Sequence, residues 1–245
     1  MGDVFSLRVG SPAAALCLGA DPREILRQAL GRAGAPAQGR DPGGFPTDWS
    51  RGLLAPVHLP GILVEVMAGI ALSFRVRGQP RVALLVDDVA ATGSGDWHEG
   101  LNFAAVGEVP MVLVVDAAGR RPTDTATESM ADRAPAYGFA AHTVPGIDPR
   151  AVEAVVWAAA EAARTGGGLQ VVEVTAPPED PVDWLLRTHV ESEALTPADA
   201  SERVREAEEE MAGALAEVEA EADPDPAVAL NPGNASQAPW SPPCP

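Results

Sequence analysis

Residues 81–116 read RVALLVDDVAATGSGDWHEGLNFAAVGEVPMVLVVD, and this stretch contains two short apolar runs on either side of a helical pattern. The runs at 81–87 and 111–116 are rich in Val and Leu and are short, so they predict strands. Residues 97–106, between them, predict a helix. A strand, a helix and a second strand in this order predict two parallel strands joined by a crossover.

The same alternation continues toward the C-terminus. Two further helices and two further strands are predicted, at 126–137, 139–144, 149–164 and 169–175. The second of these helices has clear end signals, because Asp148 suits the N-cap, Pro149 suits the first helical position and glycines follow at 166–168. Continuous apolar strands are typical of a parallel sheet that is covered on both faces. The predicted fold class is therefore α/β, a doubly wound, mostly parallel sheet with helices on both faces.

Charge is distributed unevenly along the 245 residues. The chain has 35 acidic and 17 basic residues, a formal net charge of −18, and 17 of the acids but three of the bases lie from residue 173 onward. Thr196 can cap and Pro197 can begin an acidic helix over 196–222, which we interpret as a solvated helix. The Pro-rich composition of 224–245 predicts a disordered tail. We expect a single domain over 1–223, with two more helices at 21–32 and 61–75.

Composition also excludes several classes of function. The acidic balance argues against nucleic acid as a partner, because phosphate binding needs a concentrated basic surface. All 17 basic residues are Arg, which excludes chemistry that needs a Lys nucleophile or a phosphate-loop Lys. Cys17 and Cys244 stand alone near opposite ends, which fits a reducing compartment. The apolar runs are too short to span a bilayer and residues 1–20 lack a secretory pattern, so we expect a cytoplasmic protein with no membrane partner.

The motifs near the first strand carry weak functional signals. Ligands bind at the carboxyl ends of strands in such sheets, so the loop after residue 87 is the expected place for one. Gly93 and Gly95 lack the third glycine of a dinucleotide fingerprint, and Ser94 between them does not satisfy a nucleophile elbow. Residues 98–102 approximate a zinc-protease helix, but Asn102 replaces the second His. We therefore predict neither a metal site nor catalytic residues from these motifs.

Three longer blocks carry a more specific signal. They read GDWHEGLNFAA at 95–105, VPMVLVV at 109–115 and ADRAPAYG at 131–138. In this order they strongly resemble the alpha subunit of the thiamin-diphosphate-dependent decarboxylating component of 2-oxoacid dehydrogenase complexes, of the pyruvate and branched-chain type. The likeness extends to 19–24, 67–72 and 144–174, and to the acidic helix with its Pro-Asp-Pro ending. The resemblance implies the thiamin-diphosphate-binding fold.

The residues that hold the cofactor in that family are replaced here. The family's Gly-Asp-Gly, whose Asp binds magnesium, falls on Asp88, Val89 and Ala90. The family's second metal-binding side chain, an Asn, falls on Ala118. Arg120 aligns with a further position in the family's cofactor cleft. Neither Val89 nor Ala118 offers the oxygen that magnesium requires. The resemblance therefore implies a shortened member with no intact cofactor site, no metal site and no bound cofactor.

Other family features are also missing. The Tyr-Arg pair that contacts the diphosphate falls near Val9 and Gly10, and the His-containing loop that should follow Val174 is cut out. We therefore expect a non-catalytic alpha-like subunit with a structural or regulatory role in an assembly, either a homo-oligomer or a hetero-oligomer with a beta-type subunit. One alternative is a working alpha subunit that binds thiamin diphosphate and magnesium. Another alternative is a module that binds a different small molecule in the vacated cleft.

Overall fold

The computed structural model describes residues 2–7, 12–37, 47–118 and 129–227, and the chain divides into two compact units. The first unit comprises Met1–Ser11 and Thr47–Val204, and the second comprises Pro12–Pro46 and Arg205–Pro245. The single domain expected over 1–223 stays a prediction. So does the disordered tail, of which residues 228–245 lie outside the described residues. No helix in the described ranges has the length and apolar character needed to cross a membrane.

The first unit is built on a six-stranded sheet. In chain order the strands are β1 (Val4–Ser6), β2 (Leu53–Leu54), β3 (Ala83–Asp88), β4 (Met111–Asp116), β5 (Ala140–Pro145) and β6 (Gln170–Thr175). Their spatial order is β2-β1-β3-β4-β6-β5, and every neighbouring pair is parallel. The predicted parallel sheet is confirmed, and the four predicted strands correspond to β3 to β6 within two residues at each end.

Eight α-helices lie in the described residues. They are α1 (Pro12–Cys17), α2 (Pro22–Ala29), α3 (Ile62–Val76), α4 (Gly95–Val106), α5 (Met130–Tyr137), α6 (Pro149–Ala162), α7 (Pro181–Glu191) and α8 (Pro197–Glu219). The N-cap predicted for α6 is confirmed, since the Asp148 carboxylate accepts from the Arg150 N–H at 3.0 Å. Thr196 caps α8 as predicted, because its hydroxyl accepts from the Asp199 N–H at 3.1 Å.

Three helix boundaries differ from the prediction by three or four residues, and one of them is the end of α8, which lies at Glu219 and not at 222. α5 begins at Met130 and not at 126, because Ser129 forms a capping box with Asp132. α2 ends at Ala29 and not at 32, and Leu30 is its C-cap. α7 was not expected, although Asp180 at its N-cap and Pro181 at its first position are standard start signals.

Apolar residues on both faces of the sheet are covered by helices. On one face, Leu85, Leu113 and Val171 belong to a core cluster that α3, α4 and α5 complete. On the other face, Val112 and Val172 pack with α6. Alternate residues of each strand therefore point into two different helix layers, as the near-continuous apolar runs predict.

Helices α3 and α4 lie side by side and run in the same direction. Gly61, before α3, lies against Ser94, before α4. At the first turn of α3, a side-chain carbon at Gly100 would stand 2.8 Å from the Glu65 nitrogen, so the two backbones approach as closely as only glycine allows. Near their ends, Arg75 forms an ion pair with Glu108 at 3.2 Å. The two helices are therefore neighbours from their beginnings to their ends.

The second unit joins α1 and α2 to the C-terminal part of α8. Three ion pairs connect the N-terminal and C-terminal segments of this unit, namely Arg23 with Glu217, Arg27 with Glu221 and Arg32 with Asp223. The Ala33 N–H also donates to the Ala222 carbonyl at 3.0 Å. We call these three ion pairs the arginine ladder.

The arginine ladder predicts a dependence of the second unit on pH. Hydrogen bonds from Arg23 and Arg27 lower the pKa values of Glu217 and Glu221, respectively, below their ordinary value of 4.5. A carboxylate with a lowered folded-state pKa stabilises the fold above its unfolded pKa, and this contribution is lost as pH falls through the folded value. We expect α2 and the end of α8 to lose protection from hydrogen exchange first as pH falls below about 4.5. Glu217→Gln should weaken this dependence, and an unchanged pH profile in that variant would contradict the prediction.

Candidate functional site

Two aspartates end neighbouring strands at the carboxyl edge of the sheet. Asp88 at the end of β3 and Asp116 at the end of β4 are paired in the strand register. The Asp88 carboxylate accepts from the Ala90 N–H at 2.8 Å, and the Asp116 carboxylate accepts from the Ala118 N–H at 2.9 Å. Each aspartate therefore closes the turn that follows its own strand, and these two turns occupy the place where such sheets bind ligands.

The residue after Asp88 is part of the core. Val89 has 0% of its surface exposed and belongs to the same apolar cluster as Leu85 and Leu113. It begins a short 3-10 helix, Val89–Gly93, in which the buried Thr92 hydroxyl donates to the Val89 carbonyl at 2.7 Å. The structure thus directs residue 89 inward, whereas Ala90 and Ala118 are exposed.

A cleft of about 200 Å³ opens beside these strand ends. Its walls are mostly apolar and come from the segment before α3 and from the end of β3, and the side chains that carry polar groups are His58, Asp87 and Asp88. A larger cavity of about 330 Å³ lies at the opposite edge of the sheet, where Arg75, Glu108 and Arg164 line it. The smaller cleft is the candidate site, because it lies at the carboxyl edge.

Four carboxylates lie at this edge. In the strand register Asp87 is level with Val115, which is in turn level with Glu173, and Asp88 is level with Asp116. Glu173 is almost fully buried, and its carboxylate accepts from the Met130 N–H at 2.8 Å, at the N-terminus of α5. A carboxylate is favourable there because the helix dipole places partial positive charge at that end. The buried acid holds α5 against the sheet.

The block at 95–105 forms packing contacts between α4 and α5. Trp97 is fully buried, and the Arg133 guanidinium lies 5.8 Å from its ring centroid. His98 is hydrogen-bonded through Nδ1 to the Tyr137 hydroxyl, and the two rings stack at 6.1 Å. Ser94 is the N-cap of α4 and accepts from the Trp97 N–H at 3.2 Å. His98 and Trp97 therefore connect α4 to α5, and Ser94 begins α4.

The structure brings some of the sequence-predicted positions together and leaves others undescribed. Asp88, Ala90 and Ala118 lie at the carboxyl edge, and Val89 is buried in the core there. Arg120, and the positions Val9 and Gly10 expected to replace the Tyr-Arg pair, lie outside the described residues. No local signal identifies His58 as a residue of the cleft, because nothing near it in the sequence shows that the chain returns it to the end of β3.

Residues 12–176 match the model of a family described as the dehydrogenase E1 component. The chain belongs to the dehydrogenase E1 component family. The resemblance to an alpha subunit of a 2-oxoacid dehydrogenase, in shortened form, is confirmed by this match and by named relatives. E1 proteins depend on thiamin diphosphate.

Three relatives of the E1 family show how much of the chain is shared. The acetoin:2,6-dichlorophenolindophenol oxidoreductase alpha subunit of Bacillus subtilis is 30% identical over 78% of this chain and 57% of its own length. The corresponding protein of Cupriavidus necator is 29% identical over 63% of this chain and 48% of its own. The pyruvate dehydrogenase E1 alpha subunit of Bacillus cereus is 34% identical over 49% of this chain and 34% of its own length. The chain spans about half the length of the first two relatives.

The E1 cofactor can be tested against the side chains at the cleft. Magnesium requires oxygen ligands, but Val89 is buried in the core and Ala118 carries a methyl group. Asp88 and Asp116 each accept a hydrogen bond from their own turn, and the described residues contain no group of three or more acidic, His or Cys side chains arranged for a metal. The described lining of the cleft includes two acids and no Arg, so it does not suit a diphosphate anion. These residues do not fit magnesium and thiamin diphosphate.

Proposed function

We propose that this chain is a non-catalytic alpha-like subunit of an E1-type assembly and that it acts by binding a beta-type 2-oxoacid dehydrogenase subunit. Its role in the assembly is structural or regulatory. The observation that carries the proposal is an apolar face on α3 and α4 that the first unit does not use for its own core.

This face, the α3/α4 face, consists of Val66, Gly69, Phe103 and Val106. The exposed fractions of the three larger residues are 44% for Val66, 48% for Phe103 and 78% for Val106. Gly69 is also exposed, and a side-chain carbon there would meet no atom within 4 Å. All four residues are exposed on these two neighbouring helices, where Glu65, Glu99 and Asn102 are exposed as well.

The same helices already supply their own core from other positions. Val64, Met67 and Ala71 of α3 and Leu101 and Ala104 of α4 are buried in the core cluster. Folding of the first unit therefore does not require apolar side chains on the outer face. Exposed large apolar side chains are common at protein interfaces, and an exposed glycine allows a second backbone to approach closely.

The cofactor positions support the non-catalytic part of the proposal. A working alpha subunit must offer oxygen ligands to magnesium, and positions 89 and 118 carry hydrocarbon side chains. The relatives named as alpha subunits of pyruvate dehydrogenase and acetoin oxidoreductase supply the kind of assembly, since an alpha subunit implies a companion. We extend that arrangement to this chain.

The proposal predicts a defined complex with a beta-type subunit. The full chain and a beta-type subunit of its own source should be co-expressed, purified by a tag on either chain and examined by light scattering. We expect a complex containing both chains that persists at micromolar concentration and shows no 2-oxoacid decarboxylation. A stable monomer that captures no beta-type subunit would overturn the proposal. Decarboxylation that depends on thiamin diphosphate would favour the working alpha subunit instead.

A further inference from the structure

The loop at residues 88–93 satisfies its own polar groups and buries its own apolar ones. The Asp88 carboxylate and the Thr92 hydroxyl each form a hydrogen bond within the loop, at 2.8 and 2.7 Å. Val89 and Thr92 are both 0% exposed, and Ala91 is 3% exposed. Nothing in this arrangement requires a ligand for its stability, because each of these groups has a partner from the protein.

The position that matches the family's magnesium-binding Asp is therefore occupied by a core side chain. Val89 packs in the cluster that also contains Trp97 and Met130, so α4 and α5 both rest on the same apolar core as residue 89. A charged side chain in such surroundings would lose its hydration, and a charged group that contacts this loop, the Arg133 guanidinium, already donates to the Thr92 carbonyl at 3.4 Å.

We infer that this loop has become a structural element of the core, so that the lost cofactor site cannot be restored by returning the metal-binding side chains. The inference concerns the interior of the first unit and rests on the cofactor mismatch, not on the α3/α4 face. It can therefore fail while the proposed complex forms, and the complex can fail to form while this inference stands.

The experiment compares two substitutions that each restore a family side chain. Val89→Asp places a carboxylate in the core, and we expect the melting temperature to fall by about 10 °C at pH 7. Ala118→Asn is the matched control, because Ala118 is exposed, and we expect a change of less than about 2 °C. Equal, small effects of the two substitutions would overturn the inference.

The pH dependence separates a buried carboxylate from a general packing defect. Burial raises the pKa of a carboxyl group, so the folded Val89→Asp protein should bind a proton more readily than the unfolded one. The difference in melting temperature between this variant and the original chain should therefore shrink as pH falls from 7 toward 5. Val89→Asn has a similar shape without the titration, and its deficit should stay constant. A deficit of Val89→Asp that does not change with pH would contradict burial of the carboxylate.

Titration with magnesium and thiamin diphosphate completes the test. A ligand that binds the folded state raises its melting temperature according to its affinity. We expect a shift below about 1 °C at millimolar cofactor for the original chain and for the Val89→Asp, Ala118→Asn double variant. A rise of several degrees in either protein would overturn the inference. If Val89→Asp does not fold, the original chain and the Val89→Asn variant still provide the titration and the comparison of stability.

Discussion

Replacing Phe103 and Val106 together with glutamate is expected to weaken binding of the beta-type subunit at least about 100-fold. Two carboxylates would have to be buried without partners in the complex, and each such burial costs more than the apolar contact that it replaces. The melting temperature of the isolated chain should change by less than about 2 °C, because both side chains are already exposed. Light scattering and a binding titration of the purified variant provide the measurement.

The matched control lies in the opposite helix layer. Trp157 on α6 is 69% exposed, and α6 packs on the other face of the sheet from α3 and α4. Trp157→Glu adds the same charge at a similarly exposed apolar position, and it should leave the affinity within about threefold. If this substitution abolished binding while the double variant bound normally, the interface would lie on α6, and its assignment to the α3/α4 face would be wrong.

Removing the buried carboxylate of Glu173 is expected to produce the second large effect. Glu173→Leu leaves the Met130 N–H without its acceptor and removes the negative charge at the N-terminus of α5. We expect the free energy of unfolding to fall by roughly 3 kcal/mol, because a buried donor loses a charge-assisted hydrogen bond. Denaturation in guanidinium chloride followed by circular dichroism measures this change.

Glu173→Gln distinguishes the hydrogen bond from the charge. The amide oxygen of Gln can still accept from Met130, so we expect a loss of about 1 kcal/mol. A protease should also cleave the segment around α5 faster in the Leu variant than in the Gln variant, because α5 is the helix that Glu173 holds. If the Leu variant were as stable as the original chain, the acid would have no role in holding α5.

The parts of the fold that could be predicted are those where local pattern and final burial agree. Strands β3 and β4 are runs of Val and Leu that lie in the centre of the sheet, so their sequence alone predicts buried parallel strands. Helix α6 has Asp148 and Pro149 at its start, and these residues act locally. Such signals do not depend on the rest of the chain.

The parts that could not be predicted depend on contacts between distant residues. β1 has three residues and β2 has two, and both become strands because they pair along the edge beside β3. No local sequence feature predicts that β6 lies between β4 and β5 in the sheet. In the candidate site, the absence of a metal-binding oxygen at Val89 follows from the chemistry of its side chain, but its complete burial depends on how α4 and α5 pack.

The arginine ladder also affects the order of events during synthesis. Arg23 and Arg27 bond to acids that lie 194 positions further along the chain. A ribosome releases the segment with α2 long before it has made the end of α8, so these arginines have no ladder partners while nearly the whole chain is translated. The sheet of the first unit, whose strands all precede residue 176, has every strand available earlier. The second unit therefore closes after the sheet has all its strands, and a ribosome that stalls between residues 176 and 216 would leave Arg23, Arg27 and Arg32 without their ladder partners.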